Sequence, residues 1–156
     1  MTNIAKILPR SNVVLDLQAS SKRDVFEQVS ELLEKNCSIA RSIVLENLLA
    51  REALGSTGLG RGVAVPHGRI KGLKAAMTAF VRLKEPVPFD SPDGTPVSLL
   101  IFVLIPDNVT QQHLEILSEI AEMFSNETFR TALSVEFDPD LIHAKLIAWR
   151  PGQQAA

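Results

Sequence analysis

The chain has 156 residues, of which 46% are hydrophobic and 22% are charged, and its formal net charge is −2. A chain of this length can bury enough surface to fold as one domain, and this composition is typical of a globular protein rather than a disordered one. The net charge gives no indication of nucleic acid as a partner. Because Cys37 is the single cysteine, the sequence excludes an internal disulfide and a thiolate-rich metal site.

The longest apolar run extends from Leu99 to Ile105 and is far too short to span a bilayer as a helix. The opening residues, MTNIAKILPR, lack the apolar core of a secretion signal. We therefore expect a cytoplasmic protein without membrane insertion. Residues 1–150 are predicted to form one domain, and the ending PGQQAA, residues 151–156, is predicted to be a flexible tail.

The first half of the chain predicts a strand followed by two helices. Residues 12–17 are rich in β-branched side chains, and Ser21 and Asp24 favour the start of a helix. The buried stripe of that helix is predicted to contain Val25, Val29, Leu32 and Leu33. A second helix is predicted over residues 41–54, and Gly55 gives it a natural end.

The second half predicts two central strands and three helices. Residues 77–83 and 97–105 are apolar and partly β-branched, and the apolar run in the second segment indicates burial on both faces. A helix opened by Thr110 is predicted to bury Leu114, Leu117, Ala121 and Phe124. Shorter helices are predicted around 127–133 and 139–148. We therefore predict an α/β fold, a single domain with a mixed central β-sheet flanked by helices on both faces.

The sequence GSTGLGRGVAVPHGR, from Gly55 to Arg69, places one histidine after a glycine-rich loop and directly after a proline. The glycines permit a tight path that can leave several backbone N–H groups facing one anion. Pro66 restricts the backbone just before His67, and residues 63–65 predict a short buried strand whose end carries the imidazole. We interpret His67 as a histidine that contacts a phosphate group.

Two nucleotide-binding motifs fit this segment poorly. Residues 55–60 have the spacing of a P-loop, but Arg61 and Gly62 stand where that motif needs Lys and then Ser or Thr. The following glycines form GxGxG before a predicted strand, whereas a dinucleotide-binding fingerprint needs GxGxxG at the start of a helix. The sequence therefore argues against nucleotide binding.

A neutral imidazole is a competent nucleophile, and its ordinary pKa near 6.5 leaves much of it neutral in the cytoplasm. Phosphoryl transfer also needs donors for the phosphate oxygens, and the loop supplies candidates. These candidates are Arg51, Ser56, Thr57 and the backbone amides of the glycine loop. Each also has an ordinary structural interpretation, as a solvated helix residue for Arg51 and as turn residues for the other two.

The other two histidines are less specialised. His113 lies near the start of a predicted helix, where it either caps that helix or serves the site if the fold brings it close to His67. His143 lies on a predicted terminal helix without a cluster of candidate partners, and we expect it at the surface. A metal site built on His67 and His113 lacks an evident carboxylate or thiolate set.

The segment REALGSTGLGRGVAVPHGRI, residues 51–70, resembles the phosphorylation site of enzyme IIA proteins of the bacterial phosphoenolpyruvate-dependent phosphotransferase system, in the mannitol and fructose class. The earlier segment ILPRSNVVLDLQASSKRDVFEQVSELL is similar to the nitrogen-regulatory branch of that family. The later segment VSLLIFVLIPDNVTQQHLEILSEIA resembles its second histidine segment. The resemblance covers nearly the whole chain.

This resemblance implies a role for each candidate residue. It implies that His67 accepts a phosphoryl group, that His113 orients it and that Arg51 stabilises the phosphorylated state. Support of the phosphate site is expected from Ser56, Thr57 and Gly58. The resemblance also implies an α/β domain with a mixed sheet, no cofactor and no bound metal.

The partners implied are a small histidine phosphocarrier protein as donor, itself charged by an enzyme I, and regulatory targets such as sensor kinases or transporter subunits. Nitrogen, carbon and potassium regulation are the outputs expected of this branch. Two alternatives stay open. The first is a sugar-specific IIA component that passes phosphate to a IIB protein for fructose or mannitol uptake. The second is a non-catalytic interaction module.

Overall fold

Residues 3–150, which the computed structural model describes, form a six-stranded sheet with helices on both faces. The strands are β1 (Val13–Leu17), β2 (Gly58–Gly60), β3 (Val63–Ala64), β4 (His67–Ile70), β5 (Met77–Val87) and β6 (Val97–Pro106). The helices are α1 (Asn3–Ile7), α2 (Lys22–Cys37), α3 (Arg41–Leu54), α4 (Gln111–Ser125), α5 (Glu127–Val135) and α6 (Pro139–Ala148), with a 3-10 turn at Arg10–Asn12. The predicted tail, 151–156, lies outside the described residues.

The sheet is mixed, as predicted. Its strand order is β1-β5-β6-β3-β2, and β4 pairs with β6 in line with β3. The β1–β5, β3–β6 and β4–β6 pairs are parallel, whereas the β5–β6 and β2–β3 pairs are antiparallel. The predicted α/β class and the helices on both faces are therefore confirmed. Within the described part of the chain, no helix is long and apolar enough to cross a membrane.

Strand β6 divides the hydrophobic core into two layers, because successive side chains of a strand point to opposite faces. One face carries Leu99, Ile101, Val103 and Ile105, which pack with apolar residues of α1, α4, α5 and α6. The other face carries Leu100, Phe102 and Leu104, which pack against α2 and α3. Burial of both faces explains why the sequence of this strand is apolar throughout.

The predicted start of α2 and the predicted end of α3 are confirmed. The Ser21 side chain caps α2 by accepting a hydrogen bond from the backbone N–H of Asp24 at 3.1 Å. Helix α3 ends at Leu54, and Gly55 takes the chain away towards β2. This end leaves Arg51 and Glu52 in the last turn of α3, beside the loop that leads to the sheet.

The glycine-rich segment forms a β-hairpin at the edge of the sheet. Strands β2 and β3 pair there, and the turn between them uses left-handed backbone at Gly60 (φ 90°), Arg61 (φ 58°) and Gly62 (φ 82°). The N–H of Arg61 donates to the Asp93 carboxylate at 2.7 Å. The prediction that these glycines gather their amides around one anion at His67 is therefore wrong for this turn.

The register along β6 separates the hairpin from the histidine. Val63 lies opposite Leu99, whereas His67 lies opposite Val103. Four residues of a strand span about 13 Å, so the hairpin turn lies well away from the imidazole. The glycines of the hairpin turn are close to His67 in the sequence but distant from it in the fold.

The predicted strand over residues 63–65 ends earlier than expected. Strand β3 stops at Ala64, and the chain rejoins β6 as β4, whose first residue is His67. Pro66 has no N–H to give to the ladder, although its carbonyl accepts from the N–H of Val103 at 2.9 Å. Val65 and Pro66 therefore form a short link between two strand segments that share one neighbour.

The predicted buried stripe of α4 is largely wrong. The residues that α4 buries are Ile116, Ile120, Met123 and Phe124. Of the four predicted residues only Phe124 is buried, whereas Leu114 is 54% exposed. An adjacent stripe of the same helix is also apolar, and the packing of α4 on β6 selects that one. The exposed leucine faces a groove described below.

Candidate active site

An open groove of about 510 Å³ lies between α3, β4 and the start of α4. It is lined by Asn47, Ala50, Arg51, Leu54, His67, Gly68, Arg69, Ile105, Val109, Leu114 and Leu117. The lining is apolar except for the histidine, two arginines and one asparagine. The fold therefore brings His67 and Arg51 together in one groove, as the motif predicts, and adds Arg69, which the sequence reasoning missed.

The imidazole of His67 is half-buried, and one of its two ring nitrogens is occupied. Its Nδ1 lies 2.8 Å from the carbonyl oxygen of Val65. A carbonyl oxygen can only accept a hydrogen bond, so Nδ1 must carry the proton and donate it. In the neutral ring Nε2 then keeps an unshared electron pair, which is the nucleophilic form of this side chain.

The pKa of His67 is lower than the ordinary value of 6.5. Burial lowers it most, because a charged ring is less well solvated there. The hydrogen bond to Val65 raises the pKa, the positive charge of Arg51 lowers it, and the negative charge of Glu52 raises it. The net direction keeps the ring neutral, and so reactive, under weakly acidic conditions.

We expect the imidazole of His67 to titrate below pH 6.5, the ordinary value. Because the neutral ring is the reactive form, phosphoryl acceptance should be retained at pH 6.5 and should be lost only as the pH falls through the lowered pKa. The proton chemical shifts of the ring, followed against pH, measure the midpoint directly. In Arg51→Ala the midpoint should rise, because a charge that lowers the pKa is removed. A wild-type midpoint at or above 6.5 would contradict this prediction.

Arg51 lies in the last turn of α3, with its side chain half-exposed in the groove. Its Nη1 donates to the carbonyl oxygen of Gly55 at 2.8 Å, which holds the guanidinium at the end of the helix. A guanidinium carries five N–H donors, so this bond leaves it able to bind phosphate oxygens as well. Arg69 is exposed on β4, two positions after His67 and in the same groove.

The predicted supports Ser56, Thr57 and Gly58 shape the loop between α3 and β2. The Ser56 hydroxyl donates to the carbonyl oxygen of Phe89 at 2.6 Å and accepts from the N–H of Gly58 at 3.0 Å. The Thr57 hydroxyl and N–H both donate to the carboxylate of Glu52, at 2.6 and 3.0 Å. These donors are already bound to acceptors within the protein, so the three residues contribute through the conformation of the loop.

His113 is the third residue of α4, next to the groove residue Leu114. Its Nδ1 accepts from the backbone N–H of Thr110 at 3.0 Å, as one half of a capping box. A ring nitrogen that accepts cannot be protonated, so Nε2 carries the proton of the neutral ring and can donate it. The capping role considered from the sequence is therefore present, and the same bond fixes the ring as a donor.

His143 has a structural role. Its Nε2 lies 2.8 Å from the carbonyl oxygen of Leu8, and the side chain is half-buried between α6 and the segment after α1. Because the carbonyl oxygen can only accept, Nε2 donates and the ring links two parts of the fold. His143 therefore has an ordinary structural role, and its ring is half-buried rather than exposed at the surface as expected.

A neutral histidine with one nitrogen free, in an open groove with two arginines, has the nucleophile and the cationic groups that a phosphoryl-accepting site requires. The chain is a member of the family described as phosphoenolpyruvate-dependent sugar phosphotransferase system, EIIA 2, which it matches over residues 6–148. The predicted family is therefore confirmed.

Both sequence and structure place nitrogen-regulatory proteins among its relatives. A nitrogen regulatory protein of Pseudomonas aeruginosa is 38% identical over 134 residues, which are 85% of this chain and 87% of that protein. The crystal structure of the nitrogen regulatory protein IIA-Ntr from Neisseria meningitidis is 49% identical with a TM-score of 0.87, covering 92% of this chain and 98% of that one. The fructose-specific EIIABC component of Bacillus subtilis is 29% identical over 131 residues, 83% of this chain and 21% of that protein.

Proposed function

We propose that this chain is a phosphohistidine carrier and regulator, which accepts a phosphoryl group from a histidine phosphocarrier protein and controls target proteins according to its phosphorylation state. The observation that carries the proposal is the geometry of His67. Its Nδ1 is bound to Val65, and its Nε2 is the nucleophile in a groove that a partner protein can enter. The family membership and the nitrogen-regulatory relatives support the same proposal.

The transfer needs no proton to leave His67. The electron pair of Nε2 attacks the phosphorus of the phosphohistidine donor, and the donor's own P–N bond breaks with its electrons returning to the donor ring. The proton on Nδ1 stays in the hydrogen bond to Val65, which stabilises the positive charge that the ring gains. Arg51, Arg69 and the donor nitrogen of His113 are the groups we propose for the phosphate oxygens and for their orientation.

Regulation follows from charge. A phosphoryl group adds about −1.5 to −2 charges to a groove whose charged side chains are the two arginines, and so changes which protein surfaces can dock there. We propose targets in the cytoplasm, such as sensor kinases or transporter subunits in nitrogen, carbon and potassium regulation. The nitrogen-regulatory relatives favour this role.

The second candidate is a sugar-specific IIA component that passes the phosphoryl group to a IIB protein. The similarity to the fructose-specific EIIABC component favours it. Onward transfer separates the two candidates, because a regulator should keep its phosphoryl group in the presence of a IIB protein, whereas a transport component should lose it rapidly.

The test is to incubate the protein with labelled phosphoenolpyruvate, enzyme I and the histidine phosphocarrier, to remove this donor system, and then to add a fructose- or mannitol-type IIB protein. We expect acid-labile label on the chain that persists after IIB is added. Rapid loss of label to IIB would establish the transport component instead. A folded protein that takes up no label would be an interaction module, and the proposal would fail.

For Arg51→Ala we expect the phosphorylated form to hydrolyse faster, by roughly tenfold, because a cation beside the phosphate oxygens is lost. The measurement is the half-life of the label after the donor has been removed. Arg61→Ala is a matched control, since Arg61 lies in the hairpin turn away from His67. Equal half-lives in wild type and Arg51→Ala would leave Arg51 as an ordinary helix residue.

For His113→Ala we expect phosphoryl acceptance that is slowed, by roughly tenfold, but not abolished, because a positioning group is lost while the nucleophile remains. Single-turnover transfer from the phosphorylated carrier measures the rate. His113→Gln keeps a side-chain donor and acceptor, and should recover part of the rate. Wild-type rates in both variants would show that His113 does not orient the phosphoryl group.

A further inference from the structure

A continuous chain of polar contacts begins at α2 and ends on the ring of His67. The ammonium group of Lys22 lies 2.7 Å from the carboxylate of Glu52, and these side chains are only 22% and 6% exposed. The same carboxylate accepts from both the hydroxyl and the N–H of Thr57. Both carboxylate oxygens of Glu52 are therefore used to hold Thr57 in place.

The next contacts pass through the backbone. The carbonyl oxygen of Thr57 accepts from the N–H of Val65 at 3.0 Å, and the carbonyl oxygen of Val65 accepts from Nδ1 of His67 at 2.8 Å. Val65 lies in the link between β3 and β4, outside the residues that pair with β6 in either strand. Thr57 thus holds the peptide group that precedes the Val65 Cα, and the imidazole contacts the peptide group that follows it.

We propose that Glu52 and Thr57 are positioning residues for His67, which fix the Val65 carbonyl and thereby the tautomer that leaves Nε2 free. The inference rests on the proposed function, since it concerns the same nucleophile. Neither side chain reaches the phosphoryl group in this role. Thr57 acts through its backbone carbonyl, and its hydroxyl serves only to bind Glu52.

The burial of Thr57 and of the Glu52 carboxylate supports a positioning role for both residues. Thr57 is only 6% exposed, and the Glu52 carboxylate is buried with three donors around it, two from Thr57 and one from Lys22. A buried carboxylate with this number of donors has a defined orientation and costs free energy to displace. These contacts hold the loop that carries Thr57, and through the Thr57 carbonyl they hold the backbone of Val65, which contacts the histidine.

The variants that test this proposal are Glu52→Gln and Thr57→Val. The first replaces one carboxylate oxygen by a donor, and the second removes the hydroxyl with nearly the same shape. Thr57→Val also keeps the Lys22–Glu52 ion pair, so it is the variant in which the fold is least disturbed. Thr57→Ser keeps the hydroxyl and is the conservative rescue. Glu27→Gln is the matched control, because Glu27 pairs with Arg23 on the exposed side of α2.

The readout is the ring of His67 in the unphosphorylated protein, by long-range proton–nitrogen correlation spectra, which distinguish the two tautomers. We expect wild type, Thr57→Ser and Glu27→Gln to carry the proton on Nδ1. In Glu52→Gln and Thr57→Val the Nε2–H tautomer should become populated, and acceptance from the phosphorylated carrier should slow by roughly tenfold or more. Far-UV circular dichroism and urea unfolding check that each variant is folded.

Wild-type tautomer populations in both folded variants would overturn the proposal, whatever their transfer rates. A slower transfer in Thr57→Val without a tautomer change would also overturn it, because the hydroxyl would then act on the phosphate itself. The spectra need no phosphoryl donor, so they decide the positioning role even if wild type accepts no label. That last outcome would contradict the proposed function and not this inference.

Discussion

A His67→Ala variant is expected to take up no phosphoryl group from the histidine phosphocarrier, with a rate at least about a thousandfold below that of wild type. The reason is that the variant lacks the only group that the site offers as a nucleophile in our proposal, the Nε2 of the imidazole. Acid-labile label on the chain, measured over time with the donor in excess, gives the rate. Label on His67→Ala at a comparable rate would show that another residue is the acceptor.

The matched control is His143→Gln. His143 donates to the Leu8 carbonyl from α6, and a glutamine amide can supply a donor in its place. We expect this variant to accept phosphate at the wild-type rate. His67 is half-buried at the groove and its ring contacts one backbone carbonyl, so His67→Ala should unfold with a free energy close to that of wild type. Loss of label can then be assigned to chemistry rather than to misfolding.

An Arg82→Met variant is expected to lose about 3 kcal/mol of free energy of unfolding. Arg82 projects from β5 with a side chain that is 7% exposed, and its Nη1 donates to the carbonyl oxygens of Leu133 and Glu136 at 2.9 and 2.6 Å. These carbonyls lie at the end of α5, where helix carbonyls have no partner within the helix. Methionine fills similar space but donates nothing, so it leaves both carbonyls without this donor.

Urea unfolding at neutral pH measures the effect. Arg23→Met is the matched control, because Arg23 forms an exposed pair with Glu27 one turn along α2, and such pairs contribute little. We expect that variant to change the free energy of unfolding by less than about 0.5 kcal/mol. If Arg82→Met and Arg23→Met had similar free energies of unfolding, the contact between β5 and the end of α5 would not contribute measurably to stability.

The sequence predicts those parts of the fold that local chemistry decides. Ser21 caps the start of α2, and Gly55 follows the last residue of α3. Both helix ends are predictable because capping, and the backbone conformations that glycine permits, depend on residues close in the sequence. The apolar run of β6 predicts a strand buried on both faces, since a single strand must serve two core layers. The glycine-rich motif predicts that His67 and Arg51 serve the same site, and the structure brings both into one groove.

What the sequence does not predict depends on packing between distant segments. Two neighbouring stripes of α4 are apolar, and only the contact with β6 decides that Ile116 is buried while Leu114 faces the groove. The pairing of Glu52 with Lys22 joins residues on different helices, so it depends on how α3 packs against α2. The direction of the glycine hairpin depends on its register with β6.

The link of Val65 and Pro66 between β3 and β4 also restricts how this protein can change in evolution. One inserted or deleted residue at this link would invert the side of the sheet on which every later residue of β4 projects, because side chains alternate along a strand. The imidazole would then project from the opposite side of the sheet, and the Val65 carbonyl would no longer lie beside Nδ1. We therefore expect the length of this link to be invariant wherever the chemistry is retained.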